Sequence, residues 1–247
     1  MSIPPRKLEE EVMMGREEAA AYDGLTRKFL DILHAGFVES VVNLAPAQGR
    51  FLDVGTGTGW IAIGVARHSG AQVTGIDLSD DMLAIARMNA DNEGVRNVEF
   101  VKGNASRIPF DDNTFDAVFC HNMLHHIPEP EGLVREMLRV AKPEGAVVIR
   151  DLKRLSKFMT ALHVNLFGLT YNELMKKEYR DSIMASLTEE EMRDLADRVG
   201  LGRETFSRAF VTHMTLARPA ANRRPDRITV PVAPHKSLAK NFYVCKG

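Results

Sequence analysis

Five short apolar runs punctuate the middle of the chain, "RFLDVG", "AQVTGID", "NVEFVKG", "FDAVFCH" and "GAVVIRDL", at intervals of roughly 20 to 30 residues. Between them the apolar residues recur at helical spacing. Alternation of this kind predicts a parallel sheet with helices on both faces. The intervening helices carry their own boundaries: in "LSDDMLAIARMNADNEG", Ser79 is placed to cap the start, Asp80 and Asp81 suit the positive end of the helix dipole, and Gly94 suits the exit. "EPEGLVREMLRVAKPEG" predicts a helix opening near Pro130 and closing before Pro143, with Leu133, Met137, Leu138 and Ala141 on one side.

The flanks read differently. Ahead of Phe51, "REEAAAYDGLTRKFLDILHAGFVESVVNLA" predicts one or two amphipathic helices, with the acidic residues 9 to 11 a solvated face. Beyond the sheet runs, "RLSKFMTALHVNLFGLTYNELMKKEYRDSIMAS" is helical and rich in Met, Leu, Phe and Tyr; then Thr188 and Glu191 form a capping box that starts a helix closed by Gly200. "RETFSRAFVTHMTLAR" predicts one or two edge strands, and the remainder is basic and broken by prolines. A single domain is expected: a helical N-terminal cap over 1–49, a core over 50–152, a helical lid over 153–187, a last helix and strands over 188–218, and a basic tail over 219–247.

Composition narrows the picture only slightly. With 45% hydrophobic and 26% charged residues and a formal net charge of −1, the chain has the profile of a soluble globular protein, with no global attraction to nucleic acid or anionic membrane. No apolar run reaches the length of a membrane span, charges occupy the place where a signal peptide needs an apolar core, and Cys120 and Cys245 are too far apart to suggest a metal clip. A cytoplasmic location is the expectation. Oligomeric state stays open, a homodimer included.

The chemistry concentrates after the first strand run, in "FLDVGTGTGW". Gly55, Gly57 and Gly59 sit on the strand-to-helix turn at the carboxyl edge of the predicted sheet, where open α/β sheets bind ligands and where side chains would block close backbone approach. A dinucleotide turn wants a third glycine at the position of Trp60, and a P-loop wants Gly-Lys-Ser/Thr; neither is present. Asp53 just before the turn repels a pyrophosphate and attracts a cation. Asp77, closing the second run, stands where an acidic side chain accepts both hydroxyls of a ribose. Together these residues ask for a cationic adenosine cofactor.

The ordered motifs "LDVGTGTG", "GIDLS", "GNASRIPFDDNTFDAVFC" and "LHHI", spanning about Arg50 to Asp151, resemble those of the class I S-adenosylmethionine-dependent methyltransferases. The resemblance implies a three-layer, Rossmann-like α/β sandwich whose seven-stranded, mostly parallel sheet ends in an antiparallel strand. It implies that Asp53, Gly55, Thr56, Gly57 and Gly59 hold the methionine part of the cofactor, that Asp77 takes the ribose, and that Leu78 and Met82 pack on the adenine. Asn104, where the family usually has aspartate, and Ala105 would meet the adenine edge, and Asn122 would close the site from the opposite side. The product would be S-adenosylhomocysteine.

A sulfonium methyl is already electrophilic, so positioning an acceptor supplies much of the rate; only a protonated acceptor requires a base. Candidates at the rim are His125 and His126 in "CHNMLHHIPEP", Asp151 at the end of the fifth run, and Tyr22, which resembles a tyrosine that folds over the site in some relatives. His121, His125 and His126 leave a strand and meet Pro128, so no regular helix and no metal site is expected of them. The apolar residues Phe158, Met159, Leu166, Phe167 and Tyr171 of the lid favour a small organic acceptor. The site lacks the Asn/Asp-Pro-Pro-aromatic motif of enzymes that methylate nucleic-acid bases. RNA or protein acceptors, or a binding protein that performs no transfer, are the alternatives.

Overall fold

A computed structural model describes residues 2–8, 31–168, 171, 173–209 and 211–231. Seven strands form one sheet: β1 (Arg50–Val54), β2 (Gln72–Asp77), β3 (Val98–Lys102), β4 (Phe115–His121), β5 (Ala141–Leu152), β6 (Phe206–Ala209) and β7 (His213–Arg218), in the order β3-β2-β1-β4-β5-β7-β6. Strands β1 to β5 pair in parallel, whereas β7 runs antiparallel to both β5 and β6. The sequence expected "RETFSRAFVTHMTLAR" at the edge. Only β6 is there; β7 inserts beside β5, and its first four residues are buried accordingly.

Three helices, α1 (Asp31–Leu44), α2 (Trp60–His68) and α3 (Asp80–Glu93), cover one face; α4 (Pro130–Val140) and, after the insert, α7 (Glu189–Arg198) cover the other. Strand alternation feeds both layers: in β1, Phe51 packs under α1 and α2 while its neighbour Leu52 joins Leu133, Met137 and Leu195 on the opposite side. The local boundary signals act as written. Ser79 accepts a hydrogen bond from the Met82 amide, Gly94 leaves α3 at φ 68°, and Thr188 and Glu191 complete both halves of the capping box.

The insert after β5 forms α5 (Lys157–Phe167) and α6 (Glu173–Ala185), joined to the sheet by a small core of Leu152, Leu155, Val164 and Ile183. A short N-terminal stretch straps this insert to the rest. Arg6 donates hydrogen bonds to the carbonyls of Ala185 (2.5 Å), Pro128 (3.0 Å), Ile127 (2.9 Å) and Leu124 (3.2 Å). Past β7 the chain crosses α1, where the Asn43 side chain both donates to and accepts from the Ile228 backbone. The fate of the tail beyond Pro231, and of Tyr22 in the predicted N-terminal helix, lies outside the described residues. Among the described residues no helix is long and apolar enough to cross a membrane.

Candidate active site

The turn after β1 is built by backbone and by three glycines with different jobs. Gly55 and Thr56 both donate their amides to the Ile76 carbonyl, docking the turn against the end of β2. All three glycines have positive φ (72°, 54° and 86°), the left-handed region where a side chain is strained. A Cβ on Gly59 would lie 2.8 Å from Phe100 and 2.9 Å from Ala86, so this glycine brings α2 close to the sheet rather than facing a ligand. A Cβ on Gly55 would meet Met123, whereas one on Gly57 would meet nothing within 4 Å. Open space therefore lies over Gly57. The close-packing role that a dinucleotide turn gives to its third glycine falls here one residue earlier, and Trp60 lines the cavity instead.

That cavity is lined by Asp53, Gly55, Thr56, Gly57, Trp60, Asp77, Leu78, Met82 and Ala105, and at its other end by His34, His121, Asn122, Met123 and His126. Asp53 is 2% exposed and accepts a hydrogen bond from the Thr56 hydroxyl at 2.8 Å. Burial, opposed by Thr56 and helped by the charge of Asp77, pushes its carboxyl up to about 7. Asp77 is held by two backbone amides, that of Gly57 on Oδ2 and that of Ser79 on Oδ1, each at 2.9 Å. Its orientation is thus fixed before any ligand arrives, and each oxygen keeps a further lone pair. Leu78 is half exposed and Met82 buried, on either side of the same opening.

Three expected site residues lie elsewhere than the sequence suggested. Asn104 is exposed and does not line the cavity; its Oδ1 accepts from the Ser106 amide at 2.8 Å, closing its own turn. Asp151 and His125 face inward and not toward the rim. Asp151 Oδ2 accepts from the amides of Leu124 (2.6 Å) and His125 (3.3 Å), while Oδ1 meets His125 Nδ1 and the Leu152 amide, both at 2.6 Å. Burial raises the Asp151 carboxyl, but His125 and the amides outweigh it and hold it below the usual range. The pair therefore fixes the single 3₁₀ turn Leu124–His126, and of its two histidines only His126 reaches the cavity.

Sequence reading missed what assembles beside that turn. His34 from α1, His121 from the end of β4 and His213 from the start of β7 meet edge-to-face (5.4 Å between ring centres) and stacked (6.2 Å). Burial holds all three below the usual histidine range, His34 and His213 at about 4. Behind them lies Arg150, the cross-strand neighbour of His121, 8% exposed, bonded to Thr215 and Ser40 and set over the Phe37 ring. The readable signal was that "FCH" and "VIR" close two apolar runs expected to pair in parallel.

Comparison with known proteins bears on this geometry directly. A family model described as a methyltransferase domain matches residues 52–149, from the glycine turn to β5. The demethylmenaquinone methyltransferase of Bacillus cereus is 30% identical over 177 residues, which cover 66% of this chain and 73% of that protein. The chain belongs to the class I S-adenosylmethionine-dependent methyltransferases. Within that family, the ubiquinone biosynthesis O-methyltransferase of Paracidovorax citrulli is 38% identical over 136 residues, 53% of this chain and 54% of that one. A methyltransferase structure from Aquifex aeolicus shares the fold, with a TM-score of 0.62 at 22% identity over 83% of this chain and 97% of that one. The matched stretch spans about half the length of some curated relatives and about three quarters of others.

Proposed function

We propose that this methyltransferase moves the methyl group of S-adenosylmethionine onto an oxygen, nitrogen or carbon nucleophile of a small organic molecule. The observation that carries the reading is the paired placement of Asp53 and Asp77 around the open space over Gly57. The residues fit the group. A buried carboxyl that is costly to ionise by itself suits a ligand bringing positive charge, and a preoriented carboxylate at the end of β2 suits vicinal ribose hydroxyls. Thr56, Gly55 and Gly57 offer backbone to the amino-acid end, with Gly59 supporting them from below. Leu78, Met82 and Ala105 offer an apolar slot for the adenine, and Asn122 closes the opposite wall. Asn104 would reach the adenine edge only by leaving Ser106.

When bound, the cofactor supplies an electrophilic methyl group that needs no activation by the protein. What the chain's own residues do is position and exclude water. The turn braced by Asp151 and His125 presents Met123 and His126 at the acceptor end, and the segments outside the shared core, those before 50 and the insert 153–187, are the candidates to roof it, with 50–152 as the cofactor-binding half. Relatives named for ubiquinone and menaquinone biosynthesis support a small-molecule acceptor. The free, buried thiol of Cys120 fits a reducing, cytoplasmic setting.

Calorimetric titration with S-adenosylhomocysteine tests the reading. Binding in the micromolar range is expected, and Asp77→Ala should weaken it by about 2 kcal/mol through loss of charge-assisted hydrogen bonds. An affinity unchanged by that substitution would remove Asp77 from the site.

A further inference from the structure

The acceptor end of the cavity carries two polar atoms that the fold leaves without a hydrogen bond among the described residues: Nε2 of His121 and Oδ1 of Asn122. They belong to consecutive residues where β4 ends, and both are shielded from solvent. Buried polar groups in folded proteins are nearly always paired, so two adjacent exceptions on one cavity wall need an explanation. The oxygen of Asn122 lacks a hydrogen-bond donor, and in the tautomer that leaves Nε2 unprotonated His121 lacks one too, so a donor settling against that wall satisfies both.

The charge around them limits what that donor is. The groups facing His121 are His34 from α1, Arg150 from β5, His213 from β7 and, paired with Asp151, His125 from the 3₁₀ turn: imidazoles and a guanidinium. The nearby acid Asp151 is engaged by His125 and backbone amides. Arg150 remains cationic at neutral pH even though burial lowers it to about 10, and its side-chain hydrogen bonds go to the hydroxyls of Thr215 and Ser40, with no carboxylate bonded to it among the described residues. An ammonium group set here would meet an uncompensated positive charge. A neutral hydroxyl would not, and any negative charge building on its oxygen would be stabilised.

We propose that His121 accepts the hydrogen bond of the methyl acceptor's hydroxyl group, and that the acceptor class is a phenol or enol rather than an amine. This rests on the functional reading above. His34 and His213 act as positioning residues that brace the His121 ring from α1 and β7. Burial above all, then His34, His213 and Arg150, keep His121 in its neutral form, and Asn122 Oδ1 offers a second acceptor to a neighbouring hydroxyl.

The test uses the full chain with isotope-labelled histidine, saturated with S-adenosylhomocysteine, and two probes of similar size, phenol and benzylamine, added at the same concentration at pH 7.5. Phenol should shift the ring signals of His121, identified by their loss in His121→Asn; benzylamine should leave them in place. His121→Asn should weaken phenol binding about five-fold, the worth of one hydrogen bond, and leave the affinity for S-adenosylhomocysteine as it was. His34→Gln, placed one ring away, should move the His121 signals while preserving most of the phenol affinity. Phenol bound with His121 silent, no phenol binding, or benzylamine acting on His121 as strongly as phenol would each overturn the inference while leaving the methyltransferase reading intact. Failure of S-adenosylhomocysteine to bind at all would overturn both.

Discussion

Burial has brought the Asp53 carboxyl to about 7, so its ionisation falls in the physiological range. The sign follows from linkage: an acid whose folded pKa is raised favours the folded state fully below about pH 4, and that contribution fades as the pH climbs toward 7. A cationic ligand reverses the preference by stabilising the ionised form. The affinity for S-adenosylmethionine should therefore rise about tenfold between pH 6 and 8, with proton release on binding at the lower pH, and Asp53→Asn should flatten the profile. Calorimetry in two buffers of different ionisation enthalpy measures both.

The glycines of the turn separate equally well by substitution. Gly59→Ala places a methyl against Phe100 and Ala86 at positive φ, and should cost about 2–4 kcal/mol of folding stability in thermal or denaturant unfolding. Gly57→Ala adds the strain of positive φ but no collision, about 1 kcal/mol, and should instead obstruct the cofactor. Sequence placed all three glycines at the turn, because spacing after an apolar run is local information. It could not divide their labour, since Phe100 and Ala86 come from β3 and α3.

At the scale of elements, caps and strand runs were legible because each rests on contacts within a few residues, as Ser79 with Met82 and Thr188 with Glu191 show. The histidine cluster was not, since it joins positions 34, 121 and 213 through sheet order and helix packing. The inward turn of His125 was hidden for the same reason: it depends on Asp151 of β5. Arg6 belongs to this scale too, because it ties the turn after β4 to the end of α6. Arg6→Ala should leave the fold's core intact, lower stability by about 1–2 kcal/mol, and speed amide exchange selectively over 122–128 and the end of α6. Uniform exchange changes across the sheet would count against a local strap.

Over the whole molecule, one sheet edge collects everything. The carboxyl ends of β2, β1, β4 and β5 deliver Asp77, Asp53, His121 and Arg150 in the order in which the strands lie, so the two ends of the cavity are neighbours by topology. The two ends differ in character. Asp53 and Asp77 stand at one end and Arg150 with the imidazoles of His34, His121 and His213, all lowered by burial, at the other, a polarity that suits a cation meeting an electron-rich partner. The 26% of charged residues in the chain gave no hint of this, because a net charge of −1 averages over both ends.

Trp60 lines the cavity, and it is the chain's sole tryptophan. Excited at the red edge of its absorption, the protein emits from one indole at one address, with no second fluorophore of its kind to dilute the signal. Occupancy of the cavity is thus written into the colour and brightness of the native chain, and stopped-flow mixing can follow arrival and departure of ligands without a label.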